Sequence, residues 1–158
     1  MRLVTFAPTS GADWRTGVRT DAGIVDVLAV HAASPVADWA PTPAAVMAHG
    51  SAGNTTLAVL VAKAASVPGS VLAPESVTLG PAVPAPQKII AIGLNYRKHA
   101  AEAGMAIPES PIVFNKFANA LAAAGQTVTI PKVTQRADYE VELAVIIGKR
   151  ASSIPLDA

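Results

Sequence analysis

The sequence predicts an α+β fold in which strands predominate: a small N-terminal α+β domain followed by the first part of a second, mostly β domain. Two observations support this prediction. Short runs typical of strands occur on both sides of a proline-rich stretch, with helical patterns between them. The proline-rich stretch indicates a linker, because proline is excluded from helix interiors and central strands. We therefore expect domains at 1–80 and 88–158, joined by a linker at 81–87.

Three short strands are predicted near the N-terminus. They are RLVTFA at 2–7, TGVRT at 16–20 and IVDVL at 24–28. Residues 21–23, Asp-Ala-Gly, separate the last two strands and favour a hairpin turn, in which Gly23 can supply a positive φ.

Two helices are predicted between these strands and the linker. The Pro-Thr-Pro sequence at 41–43 opens the first helix, AAVMAH, and Gly50 closes it. Asn54 or Thr55 is expected to cap the second helix, which runs through TLAVLVAKAA.

The second domain is predicted to contain four strands and one short helix. The strands are KIIAIG at 88–93, PIVFNK at 111–116, TVTI at 127–130 and DYEVELAVIIG at 138–148. The helix lies at 95–104 and stops at Gly104. The last strand needs partners on both sides, and the residues after it resemble the approach to another helix. We therefore expect a larger domain that is cut short at residue 158.

Composition excludes several classes of function. The chain has 158 residues, 51% of them apolar and 15% charged, which is typical of a folded protein. Its formal net charge is +1 and no basic block stands out, so we expect no nucleic-acid partner. The absence of cysteine excludes disulfides, thiolate metal sites and a cysteine nucleophile. No apolar run approaches the ~18 residues of a membrane span, and no signal-peptide pattern is present. A cytoplasmic protein without a membrane partner is predicted.

Two carboxylates on the last predicted strand form the first candidate site. Glu140 and Glu142 are separated by one residue, so a strand would place them on one face, ~6.5 to 7 Å apart. Two carboxylates this close repel each other, and a hard cation such as Mg²⁺, Mn²⁺ or Ca²⁺ would remove the conflict. A solvated strand face that carries two glutamates explains the same spacing. The spacing leaves both interpretations open.

The second candidate site lies on the short helix. His99 and Glu102 are three residues apart, so they are neighbours on one helical face, where a carboxylate can orient an imidazole that accepts and returns a proton. An incidental surface pair is the alternative. Lys116, at the end of a strand, could bind a substrate carboxylate or be simply solvated. His31 and His49 lack comparable neighbours.

The order of these motifs resembles the fumarylacetoacetate hydrolase family. KIIAIGLNYRKHAAE, PESPIVFNKFANAL, VTIP and DYEVELAVIIGKRA follow one another across 88–151. The N-terminal MRLVTF…GIVDVLAV is similar to the small leading domain of many members. The resemblance implies a mixed β-sandwich or β-roll catalytic domain, usually dimeric, of which this chain would hold an incomplete N-terminal portion.

The resemblance also assigns roles to the candidate residues. Glu140 and Glu142 correspond to two metal-binding carboxylates, which would hold Mg²⁺ or Mn²⁺. His99 and Glu102 correspond to a water-activating dyad on a lid helix. The family's third metal-binding carboxylate, an Asp, and its substrate lysine have no counterpart in this chain. Lys116 matches a lysine of an F-x-K stretch and is a candidate for substrate binding.

The function implied is divalent-metal-dependent cleavage of carbon–carbon bonds in acylpyruvate- or fumarylpyruvate-type 2-oxo acids, as in the catabolism of aromatic compounds. Isomerisation or decarboxylation of a 2-oxo diacid, of the 2-hydroxyhepta-2,4-diene-1,7-dioate isomerase type, is one alternative. A non-catalytic truncated chain is the other. The expected partners are a small 2-oxo acid and, in the complete protein, a second copy in a homodimer. The 158 residues alone are expected to be inactive.

Overall fold

Two compact units make up the chain in a computed structural model that describes residues 1–9 and 11–155. The first unit comprises Met1–Pro84 together with the residues from Ala123 onwards, and the second comprises Ala85–Ala122. The change from one unit to the next at Pro84 falls inside the predicted linker. The domain boundaries at 1–80 and 88–158 stay a prediction.

The first unit is built on a five-stranded antiparallel sheet. Its strands in spatial order are β4 (Val71–Leu72), β3 (Gly23–Asp26), β2 (Arg15–Thr20), β1 (Arg2–Ala7) and β5 (Thr78–Leu79). β1 and β2 pair from Arg2↔Arg19 to Phe6↔Arg15, so neighbours in sequence are neighbours in the sheet. Each of the three predicted N-terminal strands is present.

The hairpin between β2 and β3 confirms the predicted turn. Thr20 pairs with Gly23, and Gly23 has a φ of 136°. Glycine is required here for a second reason, because a Cβ at this position would lie 2.5 Å from the backbone oxygen of Leu72 on β4.

The predicted third strand is too long at its C-terminal end. β3 ends at Asp26, and helix α1 (Val27–Ala33) begins immediately after it. The Asp26 carboxylate accepts hydrogen bonds from the backbone N–H groups of Leu28 and Ala29, each at 3.1 Å. This N-cap satisfies donors at the start of a helix, so the apolar residues after Asp26 are helical.

Helix α2 (Pro43–Lys63) contains the predicted break. Thr42 caps its start by accepting a hydrogen bond from the N–H of Ala45, and Gly50 interrupts it with a φ of 52° and a ψ of −118°. The predicted cap at Asn54 or Thr55 is wrong, since the helix resumes directly after Gly50. The Thr55 hydroxyl instead donates to the carbonyl oxygen of Ser51, one turn earlier.

The core of the first unit lies where these two helices cover the sheet. The buried residues come from β2, β3, α1, α2 and the 3₁₀ turn at Ala64–Ser66 that follows α2: Val18, Val25, Val27, Val30, Val46, Leu57, Leu60 and Ala64. The ends of the two helices are joined by a hydrogen bond of 2.8 Å from the Lys63 ammonium to the Ser34 hydroxyl. Among the described helices, none is both long enough and apolar enough to cross a bilayer.

The second unit is a two-stranded antiparallel ribbon with a short helix in its connection. It contains β6 (Ile89–Gly93), α3 (Arg97–Glu102) and β7 (Ile112–Lys116). The register runs from Ile89↔Lys116 to Gly93↔Ile112. These elements confirm two predicted strands and the predicted short helix.

The last two predicted strands are absent from the described residues. After a 3₁₀ turn at Ala118–Ala120, residues 121–155 contain no helix and no strand. Tyr139, Val141 and Leu143 are 84%, 85% and 81% exposed. A strand exists only where a neighbour takes its backbone hydrogen bonds, and no described segment pairs with 127–130 or 138–148. Alternating sequence alone does not supply that neighbour.

Candidate functional site

Helix α3 carries the predicted dyad, and its ends are well defined. Tyr96 is its N-cap residue, in an extended conformation. At the other end, the N–H of Ala103 donates to the His99 carbonyl at 2.9 Å, and Gly104 stops the helix with a φ of 65°. Ala100 faces inward and is 1% exposed. Ala100 is therefore the residue of α3 that is fully buried, and Gly104 marks the end of the helix.

His99 and Glu102 lie on one side of α3. They are three residues apart within Arg97–Glu102, so their side chains leave the helix as neighbours. His99 is half-buried and Glu102 is exposed. This arrangement suits an imidazole that exchanges a proton with a ligand while the carboxylate orients it.

Lys116 lies at the end of β7, opposite Ile89. Its ammonium stands 5.4 Å from the centre of the Phe114 ring, within the range of a cation–π interaction. Among residues 1–9 and 11–155, no carboxylate forms an ion pair with this ammonium. An ammonium held by a ring has its donors available for a carboxylate of a ligand.

The charge of the second unit favours an anionic ligand. It contains four lysine and arginine residues against two glutamates, a net charge of +2. The ion pairs found in the described part of the chain, Arg2–Asp21 and Arg15–Asp26, both belong to the first unit. The excess of lysine and arginine over glutamate gives the second unit a positive potential that attracts anions.

Glu140 and Glu142 lie in the irregular segment 121–155, and both are exposed. They are grouped with the first unit, whereas His99 and Glu102 belong to the second. A joint site formed by the two pairs stays a prediction.

A divalent cation finds only part of a site among these residues. Two carboxylates have the oxygen donors that Mg²⁺ or Mn²⁺ prefers, but such ions take about six ligands. Across residues 1–9 and 11–155, no three His, Asp or Glu side chains come together as a metal site would require. The donor chemistry of the two carboxylates fits the predicted metal, and the other ligands would come from water and substrate oxygens.

A cavity and the other two histidines, His31 and His49, lie in the first unit. A cavity of ≈ 290 Å³ is lined by Leu3, Val4, Met47, Ala82, Ile146 and Gly148, with no titratable side chain among them. His49, for which the sequence indicated no neighbour comparable to Glu102, stacks on Trp39 with ring centres 4.1 Å apart. His31 lies in the last turn of α1 with its Nδ1 buried. None of these positions gathers catalytic groups.

Two features of the second unit are not among those predicted from the sequence. Leu94, between β6 and α3, has a φ of 50°, a left-handed conformation that costs a branched residue about 1 to 3 kcal/mol. Nothing in the sequence indicates it, because the adjacent Gly93 is the residue expected to take such a torsion. The contact of Lys116 with Phe114 could have been suspected, since residues two apart on a strand share a face.

Comparisons with known proteins agree on one family. Residues 88–158 match the family model described as fumarylacetoacetate (FAA) hydrolase C-terminal. The mitochondrial oxaloacetate tautomerase FAHD2A of Bos taurus is 34% identical over 157 residues, which are 98% of this chain and 47% of that protein. The fumarylacetoacetate hydrolase domain-containing protein 2 homolog of Dictyostelium discoideum is 54% identical over 69 residues, which are 44% of this chain and 23% of that protein.

A solved structure shows the same similarity. The crystal structure of an HpcE-like protein from Mycobacterium smegmatis superposes with a TM-score of 0.55 at 28% sequence identity. The similarity covers 84% of this chain and 41% of that one. The chain thus spans less than half the length of these relatives.

Proposed function

Because the chain belongs to the fumarylacetoacetate hydrolase family, whose members are enzymes, we propose that it serves the keto–enol chemistry of small 2-oxo acids. Tautomerisation of an oxaloacetate-type diacid is the leading candidate. The observation that carries this choice is the similarity to an oxaloacetate tautomerase along 98% of this chain.

Hydrolysis of a carbon–carbon bond in an acylpyruvate-type acid is the second candidate. The name of the matching family model favours it, since that name denotes a hydrolase. The two reactions differ in what the imidazole must do. A tautomerase moves one proton between carbon and oxygen, whereas a hydrolase must also activate a water molecule.

Lys116, His99 and Glu102, all in the second unit, each have a role in the proposed tautomerisation. The Lys116 ammonium binds a carboxylate of the diacid and the positive charge around it attracts the anion. His99 accepts the proton from the carbon next to the 2-oxo group, the C–H electron pair becomes the C=C bond, and the imidazolium returns the proton to the former carbonyl oxygen to form the enol. Glu102 orients the imidazole from the next turn of α3.

Enzymes of this family generally depend on a divalent metal, and we propose that Mg²⁺ or Mn²⁺ serves here. Glu140 and Glu142 are the side chains of this chain that would contribute ligands to it. When bound, such a cation supplies Lewis-acid stabilisation of an enolate. The homodimer and the cytoplasmic location stay predictions, and the bovine relative is named as mitochondrial.

The test is to give the purified protein, at its full natural length, oxaloacetate and an acylpyruvate in parallel with added Mg²⁺. The interconversion of enol and keto oxaloacetate and the loss of the acylpyruvate are both followed by ultraviolet absorbance. We expect acceleration of the oxaloacetate interconversion, lost in His99→Ala and kept in the control His49→Ala, whose ring stacks on Trp39 in the other unit. Acceleration of acylpyruvate cleavage alone would favour the hydrolase, and acceleration of neither reaction would favour a non-catalytic chain.

A further inference from the structure

Leu94 has a backbone conformation that its side chain disfavours. Among the described residues other than glycine, only Leu94 and Ser153 have a positive φ. Glycine and asparagine enter this left-handed region readily, whereas a branched residue does so only where the surrounding structure holds it. Residues held in this way collect at functional sites. Leu94 stands three residues before the first residue of α3, the helix that carries the predicted dyad.

The neighbouring glycine serves a different purpose. Gly93 does not have a positive φ, and a Cβ on it would lie 3.3 Å from Cγ2 of Ile112 on β7. A side chain at this position would therefore require Ile112 to shift by a few tenths of an ångström. The left-handed torsion is that of Leu94, the next residue, at the point where the chain leaves the two-stranded ribbon.

The torsion at Leu94 lies in the connection between β6 and α3. The helix has six residues, of which Ala100 is fully buried, and Gly104 ends it. A change of torsion in so short a connection would change the direction in which the helix starts, and His99 and Glu102 would be displaced with it.

We infer that the left-handed backbone at Leu94 fixes the orientation of α3 and thereby positions His99 and Glu102. Leu94 is a positioning residue in this account, since it acts through the helix and not on a reacting atom. The catalytic meaning of this positioning rests on the proposed function.

Two substitutions at Leu94 separate the backbone torsion from the side chain. Leu94→Val keeps an apolar side chain but is β-branched, which strongly disfavours a positive φ. Leu94→Asn removes the apolar side chain but introduces a residue that accepts this torsion. If the torsion positions the helix, the valine variant is impaired and the asparagine variant resembles the parent.

The imidazole resonances in the NMR spectrum give a readout that does not require activity. The chain has three histidines, and His31 and His49 lie in the first unit, so they serve as internal controls. We expect Leu94→Val to displace the His99 resonances alone and Leu94→Asn to leave all three unchanged. In the oxaloacetate assay, the valine variant should lose about tenfold to a hundredfold in kcat with KM near the parent value.

Unchanged His99 resonances in the valine variant, or displaced ones in the asparagine variant, would overturn the inference. If the valine variant does not fold, the His99 resonances of the asparagine variant test the inference alone. Resonances at the parent positions support it, and displaced resonances overturn it. A parent protein without activity on any 2-oxo acid would refute the proposed function, while the His99 resonances would still decide whether Leu94 positions the helix.

Discussion

At the scale of single residues, Asp26 links the sheet of the first unit to its helices. Its carboxylate is buried and accepts hydrogen bonds from two backbone N–H groups at the start of α1. The same carboxylate receives a hydrogen bond from the Arg15 guanidinium at 2.7 Å. Removing it would leave the helix start uncapped and a half-buried arginine without its partner.

Asp26→Ala should lower the free energy of unfolding by about 2 to 4 kcal/mol, because both the cap and the buried ion pair are lost. Urea denaturation followed by circular dichroism measures this change. Asp21→Ala is the matched control, since Asp21 is exposed and lies 4.0 Å from Arg2, a pair worth at most about 1 kcal/mol. Equal losses in the two variants would show that Asp26 does not have the role described.

At the scale of elements, helix α2 is folded back on itself at Gly50. Gly53 packs so closely against the turn before the break that a Cβ there would overlap the backbone oxygen of Val46. In an uninterrupted helix these two residues would be about 10 Å apart along the axis. The second half of α2 therefore packs on the first, and Gly53 is the point of contact.

Gly53→Ala should force the two halves of α2 apart and destabilise the protein by about 1 to 3 kcal/mol, the cost of overpacking a site that cannot relax easily. Thermal unfolding measures the effect. Ser51→Ala, two residues earlier on the exposed surface, is the control and should leave the transition almost unchanged. A Gly53→Ala protein as stable as its parent would contradict the close approach.

The elements that sequence reasoning predicted correctly depend on nearby partners. β2 and β3 pair across a turn of a few residues. The turn at Gly23 and the break at Gly50 were predictable because glycine readily adopts the positive φ found at both positions. The strands expected at 127–130 and 138–148 depend on pairing with distant segments. The alternation of apolar and polar residues along the chain does not predict such pairing. Val27 became helical for a related reason, because the cap at Asp26 outweighed a β-branched sequence.

The candidate site was predictable to a similar extent. The spacing of His99 and Glu102 indicates one helical face, and α3 includes both residues. The torsion at Leu94 could not be read from the sequence, because it follows from how α3 leaves β6. Whether Glu140 and Glu142 act with this helix depends on contacts over long distances in the chain, and spacing does not determine those.

At the scale of the whole molecule, charge and chemistry are unevenly distributed. In the first unit, the ion pair between Arg15 and Asp26 links the sheet to the start of α1. The second unit has an excess of cations and carries the imidazole and the ammonium assigned to the substrate. Under the proposed function, the first unit would be a folded support and the second would bind the anionic substrate.

The proposed division of work separates proton transfer by His99 from metal binding by Glu142. Turnover of oxaloacetate measured across a titration of Mg²⁺ tests this division most directly. His99→Ala should lower kcat by about 10² to 10⁴ at every metal concentration, with the midpoint of the titration unchanged. Glu142→Gln should move the midpoint to higher metal concentration and recover activity when Mg²⁺ is abundant. If both variants gave the titration curve of the parent, with the same kcat and the same midpoint, neither residue would have the role proposed for it.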